Sequence, residues 1–159
     1  MYIALVTLLM LVLPLGSIAA EALQSHAGIT LDLIAKWFCF WAVGIRLLLA
    51  GARQITQPRY TAQVILGLKS DESLLLVREL GFANFAIGLI GVGTLPSPDW
   101  RLAAALAGGT FYALAGINHV LRAHRNRLEN LAMWSDLFAA AVLLTVCAHA
   151  VWLRLAPAA

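Results

Sequence analysis

The chain has 159 residues, 62% hydrophobic and 12% charged, with a formal net charge of +3 and a mean hydropathy of +0.85. A soluble domain carries roughly twice that charged fraction, which argues against a soluble globular protein. The basic residues are spread over loops without interleaved aromatics, which argues against nucleic-acid binding.

Five apolar segments follow in order, at roughly 2–22, 31–52, 74–95, 100–121 and 129–153. Each has about the twenty residues a helix needs to cross ~30 Å of hydrocarbon, and none alternates as an outer-membrane strand does. The expected fold class is all-α: a five-helix transmembrane bundle, one integral membrane domain over 1–159 without a linker or low-complexity tail. Ser17-Ile18-Ala19 offers small residues of the kind found at signal-peptide cleavage sites. No Lys or Arg precedes the first apolar run, however, and the run is long, so it is expected to stay as a helix. Cys39 and Cys147 each stand alone in an apolar span and read as small buried hydrophobes, with no C-x-x-C spacing to suggest a metal or redox pair.

The loops carry ordinary punctuation. In 54–69, Tyr60, Val64, Ile65 and Leu68 fall at helical spacing behind Pro58, giving either a short helix on the membrane surface or a solvated loop. Ser70-Asp71-Glu72 places a cap and two carboxylates before the third span, where the helix dipole favours negative charge. Pro96-Ser97-Pro98-Asp99 forces a tight turn before Trp100.

With five spans, one face receives Arg53, Arg59, Lys69, Arg78, Arg122, Arg125 and Arg127, and the other only Lys36, Arg101 and Arg154. This asymmetry predicts a cytoplasmic N-terminus in a bacterial inner membrane, with Trp37, Trp41, Trp100 and Trp152 toward the outer interface. The third span carries Gly81, Gly88, Gly91 and Gly93, and the fourth Ala104, Gly108, Gly109, Ala113 and Gly116. These faces pack closely against each other or the last helix, or else form a homo-oligomer interface.

The polar residues within the spans converge at one depth, toward the face bearing the N-terminus: Arg46, Glu79, Asn84, Asn118, His119, Glu129, Asn130 and Asp136. Charged groups in hydrocarbon cost several kcal/mol unless paired or hydrated, so convergence suggests a polar pocket. Arg46 lies about 10 Å of helix before Arg53. It either snorkels to the surface or pairs with Glu79 on the next helix. Pairing is favoured, because Glu79 would otherwise need protonation or water. Glu129 and Asp136 are seven residues apart on one helix face. Glu129 sits where it would help cap the last helix. Asp136, about 10 Å deeper, has Arg46, His119 and Asn84 as expected partners, in either a structural hydrogen bond or a ligand or proton role.

His119 ends the fourth span, where the dipole alone can stabilise it. His124 is too far round the helix to share a metal with it, and His149 lies near the other face, which argues against metal or bis-histidine haem binding. No phosphate-binding loop, dinucleotide, zincin or serine-hydrolase signature is present.

The block Arg122-Ala123-His124-Arg125-Asn126-Arg127-Leu128-Glu129-Asn130-Leu131 resembles the motif of the MAPEG family, small membrane proteins of eicosanoid and glutathione metabolism. There a run of the type R-A-H-x-N-x-x-E-N opens the second of four helices and helps hold glutathione at a trimer interface. The resemblance implies glutathione as a cofactor and Arg122, Asn126 and Glu129 as its contacts. Here the block opens the last helix, leaving too little chain for two more. A wider pattern, in Lys36-Trp37-Phe38, Gly51 to Ile55, Arg78 to Asn84 and Gly116 to His119, is similar to small bacterial membrane proteins, loosely DoxX-like.

The function expected is a polar pocket that binds a small amphipathic or lipophilic molecule from the lipid bilayer. Arg46, Glu79, Asn84, Asn118, His119 and Asp136 would meet its polar end, with Arg122, Asn126 and Glu129 added under the glutathione reading. Were it an enzyme, His119, Asp136 and Glu79 would be the acid/base candidates. A structural or assembly protein with no small-molecule site is the competing reading. Proton-coupled transport is a weaker third, since five helices show no inverted repeat.

Overall fold

The computed structural model describes residues 2–26 and 28–155, so both ends of the expected 1–159 domain lie outside the described residues. The helices are α1 (Tyr2–Ser25), α2 (Leu31–Thr56), a short α3 (Tyr60–Ile65), α4 (Ser73–Gly93), α5 (Arg101–Leu121) and α6 (Arg127–Leu155), with no strand among the described residues. A 3₁₀ turn, Pro98–Trp100, leads into α5. All but α3 are long and apolar enough to cross a membrane, consistent with an integral membrane protein. The 21 residues of α4 rise about 32 Å, matching the hydrocarbon thickness.

Local chemistry sets the ends. His26 (φ 52°) and Gly28 (φ 73°) adopt left-handed backbone after α1. The Thr30 hydroxyl then caps α2, accepting from the Leu33 amide at 3.1 Å. Ser70 accepts from the Glu72 amide at 3.2 Å on the approach to α4. Beyond α4, Pro96 and Pro98 turn the chain so that Trp100 lies against Gly93, where a side chain would collide with its ring.

The helices pack mainly as two pairs, α2 with α4 and α5 with α6. The first pair is a glycine seam. A Cβ on Gly51 would lie 2.6 Å from the Phe85 amide nitrogen, and one on Gly88 would lie 2.6 Å from that of Leu48. Only hydrogen allows the two backbones to come so close, and in lipid such approach is a main source of helix association. Gly81, Gly88 and Gly91 of α4 thus pack on α2, not on α5 or α6. Gly109 and Gly116 meet Leu143, Leu144 and Leu137 of α6, while Gly108 meets Val43 of α2. A common apolar core, including Met10, Phe38, Val43, Leu47, Tyr112 and Leu143, joins these pairs to α1.

Three stretches are wound as π-helix: Leu8–Val12 within α1, Cys39–Ile45 within α2, and α3 itself. A π-turn inserts a residue and rotates everything after it by about 100° relative to a regular helix. Arg46 follows the second stretch directly. Both cysteines are buried and form no disulfide; the Cys39 thiol donates to the Arg101 carbonyl at 3.5 Å.

Polar contacts also brace the end of the bundle where the 26–30 and 94–100 turns lie. Glu21 accepts from Lys36 at 2.7 Å and from the Trp37 indole at 2.8 Å, and Arg101 makes a forked pair with Asp32 at 2.7 and 2.9 Å.

Candidate functional site

Near the opposite end lies a cavity of about 160 Å³ between α1, α2, α4, α5 and α6, with α3 forming part of its wall. Its polar lining comes from Tyr2, Arg46, Arg53, Gln54, Tyr60, Thr61, Asn84, Tyr112, His119 and Asp136. Arg46 and Asp136 are 8% and 7% exposed. Each feels the other's charge, yet they do not close to an ion pair, and Asp136 has no hydrogen-bond partner among the described residues. The Tyr2 hydroxyl lies against the Arg46 guanidinium, but Arg46 Nε has no acceptor among the described residues. Asn84 donates to Gln54 Oε1 at 2.7 Å, leaving its own Oδ1 buried and unpartnered. Tyr112 donates to the Ala42 carbonyl, which places its ring between α5 and α2.

Arg46, Asn84, His119 and Asp136 therefore meet in one cavity. Glu79 does not join them. It is exposed, and the expected pair with Arg46 is not formed. The reason is rotational: Gly81 and Asn84 define the buried face of α4, and Glu79 lies about 200° round the helix from Gly81. Asn118, one residue before His119, is likewise exposed. Neither Glu79 nor Asn118 lines the cavity.

Glu129 and its neighbours build a second structure beside the cavity, a clasp. Glu129, 1% exposed, accepts from Arg122 at 2.7 Å and pairs with His119 Nδ1 at 3.0 Å. This leaves His119 Nε2 as the ring nitrogen with no protein partner among the described residues. Asn126 caps α6 by accepting from the Glu129 amide at 2.9 Å, and its amide donates to the Ile65 carbonyl at 2.8 Å. Arg122 donates to the Leu66 carbonyl at 3.0 Å. Arg125 donates to the His119 and Val120 carbonyls at 2.8 and 3.0 Å, closing the end of α5, and to Asn130 Oδ1 at 3.0 Å. The carboxylate expected to help cap α6 thus works as a buried tie, and the capping falls to Asn126. Arg122, Asn126 and Glu129 satisfy one another and hold α3 in place; none of them lines the cavity.

Segment 54–69 takes its shape from this clasp. α3 buries Thr61, Ala62 and Ile65 against the bundle, while Val64 and Leu68, expected on the same apolar face, are exposed. The π winding moves the buried stripe away from the regular 3.6-residue spacing.

Sequence reasoning did not identify Tyr2, Gln54, Tyr60, Thr61 or Tyr112 as lining. Two carried a usable signal. Tyr112 lies seven residues before His119, hence on its face, and Gln54 lies three after Gly51 on the seam. No group of three or more metal-ligating side chains gathers among the described residues.

A family model of unknown function, DUF6790, matches residues 3–154. The chain belongs to that family. The DUF6790 match covers all five long helices but gives no link to MAPEG or DoxX-like proteins. No curated protein and no solved structure matches the chain.

Proposed function

We propose that this DUF6790 protein binds a small amphipathic molecule in the cavity, with its polar end at Arg46 and Asp136. One observation carries the reading. Arg46 and Asp136, each more than nine-tenths buried, line the same space without closing to an ion pair. A structural ion pair would close to contact, because separated charges in hydrocarbon keep their desolvation cost and lose most of their attraction. A third group placed between them recovers both. His119 Nε2, which has no protein partner among the described residues, is a further contact for such a group.

The cluster of Arg53, Arg59, Lys69, Arg122, Arg125 and Arg127 around the 57–72 and 122–126 turns supports a cytoplasmic placement for this end. The glutathione reading loses support, because its three residues already bond one another and α3.

The test is native mass spectrometry of detergent-purified protein, with lipid extraction of what travels with it. A stoichiometric small molecule in the wild type, lost in Arg46→Ala at unchanged helicity and monodispersity, is the expected result. A protein carrying only bulk phospholipid in both forms would leave the structural reading in its place.

A further inference from the structure

We infer that the head group held here is net neutral and carries a hydrogen-bond donor beside an acceptor, and that its acyl tail leaves between Leu49 and Leu80. This rests on the pocket reading above. Arg46 can only donate, and an ionised Asp136 can only accept. A ligand that satisfies the cavity brings an acceptor for Arg46 and a donor for Asp136. A purely anionic head would gain from Arg46 and be repelled by Asp136, and a purely cationic head the reverse.

The other charges nearby do not upset this balance. His119 is tied to Glu129, which is tied to Arg122. Arg53 also lines the cavity, but it stacks on the Tyr60 ring at 3.5 Å and is only half-buried, so solvent screens its charge more than that of Arg46.

Size and exposure give the tail its route. At about 160 Å³ the cavity is well below the roughly 300–1,000 Å³ of sites that enclose a whole drug-sized ligand, so it admits a head and leaves a long tail outside. Leu49 and Leu80 line the cavity yet are 46% and 37% exposed, so its wall runs on to the outer surface of the bundle at these two side chains. Glycerol-type and ethanolamine-type heads both meet the description, and the test separates them.

Purified protein is titrated with single-chain lipids of one acyl chain, and occupancy is read by native mass spectrometry. The probes are a monoacylglycerol, a lysophosphatidylethanolamine, a lysophosphatidic acid and a fatty-acid methyl ester. The monoacylglycerol, the zwitterion or both should bind about tenfold better than the anionic and donor-free probes. Their ranking names the head. Asp136→Asn should lower that binding and raise lysophosphatidic acid. Leu80→Trp, which leaves the charges untouched, should weaken every probe. Equal or tighter binding of lysophosphatidic acid or the methyl ester to the wild type overturns the head-group inference while leaving a pocket. Full binding to Leu80→Trp overturns the tail route. Absence of binding by every probe, in a protein that also purifies empty, overturns the pocket reading itself.

Discussion

Gly51→Ala should loosen the whole candidate site from a position that does not line it. A Cβ at Gly51 would stand 2.6 Å from the Phe85 amide nitrogen, 2.7 Å from the Gly81 carbonyl oxygen and 3.0 Å from the Phe85 Cα. All three are backbone atoms, so no side chain can rotate out of the way. Ordinary contact begins near 3.4 Å, so α2 and α4 must separate by about 0.8 Å at this level. Overpacking of this kind costs about 1–3 kcal/mol. The separation also stretches the 2.7 Å bond between Gln54 and Asn84, which lie one turn along from Gly51 and Gly81. An interhelical hydrogen bond in lipid contributes about 0.6 kcal/mol, so the combined loss is about 2–4 kcal/mol. Reversible unfolding in mixed micelles would read it, with Gly16→Ala as control. Nothing lies within 4 Å of a Cβ at Gly16, so that change should be neutral or stabilise by up to about 1 kcal/mol. If Gly51→Ala matched Gly16→Ala, the backbone seam would not exist as described.

Three further outcomes follow from the same structure. Glu129→Ala removes the buried partner of both His119 and Arg122 and should cost about 1–3 kcal/mol, with Glu129→Gln intermediate, in the same unfolding assay. Asn126→Ala should lose about 1 kcal/mol as a missing cap and should also free the Ile65 carbonyl. Hydrogen exchange in 60–69 would then rise while exchange in α4 stays unchanged. Asp32→Asn, at a pair whose carboxylate is largely exposed, should change stability by less than about 1 kcal/mol, and a larger loss would mean that this pair braces its end of the bundle more strongly than its exposure implies.

The spans were legible because hydrocarbon thickness fixes length and composition together, and ionisable residues inside them stood out for the same reason. Arg46, Asn84, His119 and Asp136 were found that way. Depth is readable from a sequence; azimuth is less so. Glu79 sits at a suitable depth but on the wrong side of α4. The π-turn before Arg46 rotates that side chain by an amount no periodicity reveals. The 122–130 block was conspicuous, and its chemistry was readable as three Arg, two Asn, one His and one Glu around a turn. What the block grips was not, because the Val64, Ile65 and Leu66 carbonyls are backbone groups that no residue type announces. The glycine spacing in α4 announced a close contact without naming α2 as the partner.

The separation of Arg46 from Asp136 along the chain has a consequence for biogenesis. The two residues stand 90 positions apart. At a synthesis rate of about 5–20 residues per second, α2 emerges roughly 5–18 s before α6 can complete the polar cavity around Arg46. During that interval the guanidinium cannot rest where the finished bundle puts it. It must stay near the headgroups or at the insertion machinery, so α2 should enter the bilayer shallow and sink to its final depth only once the last helix arrives.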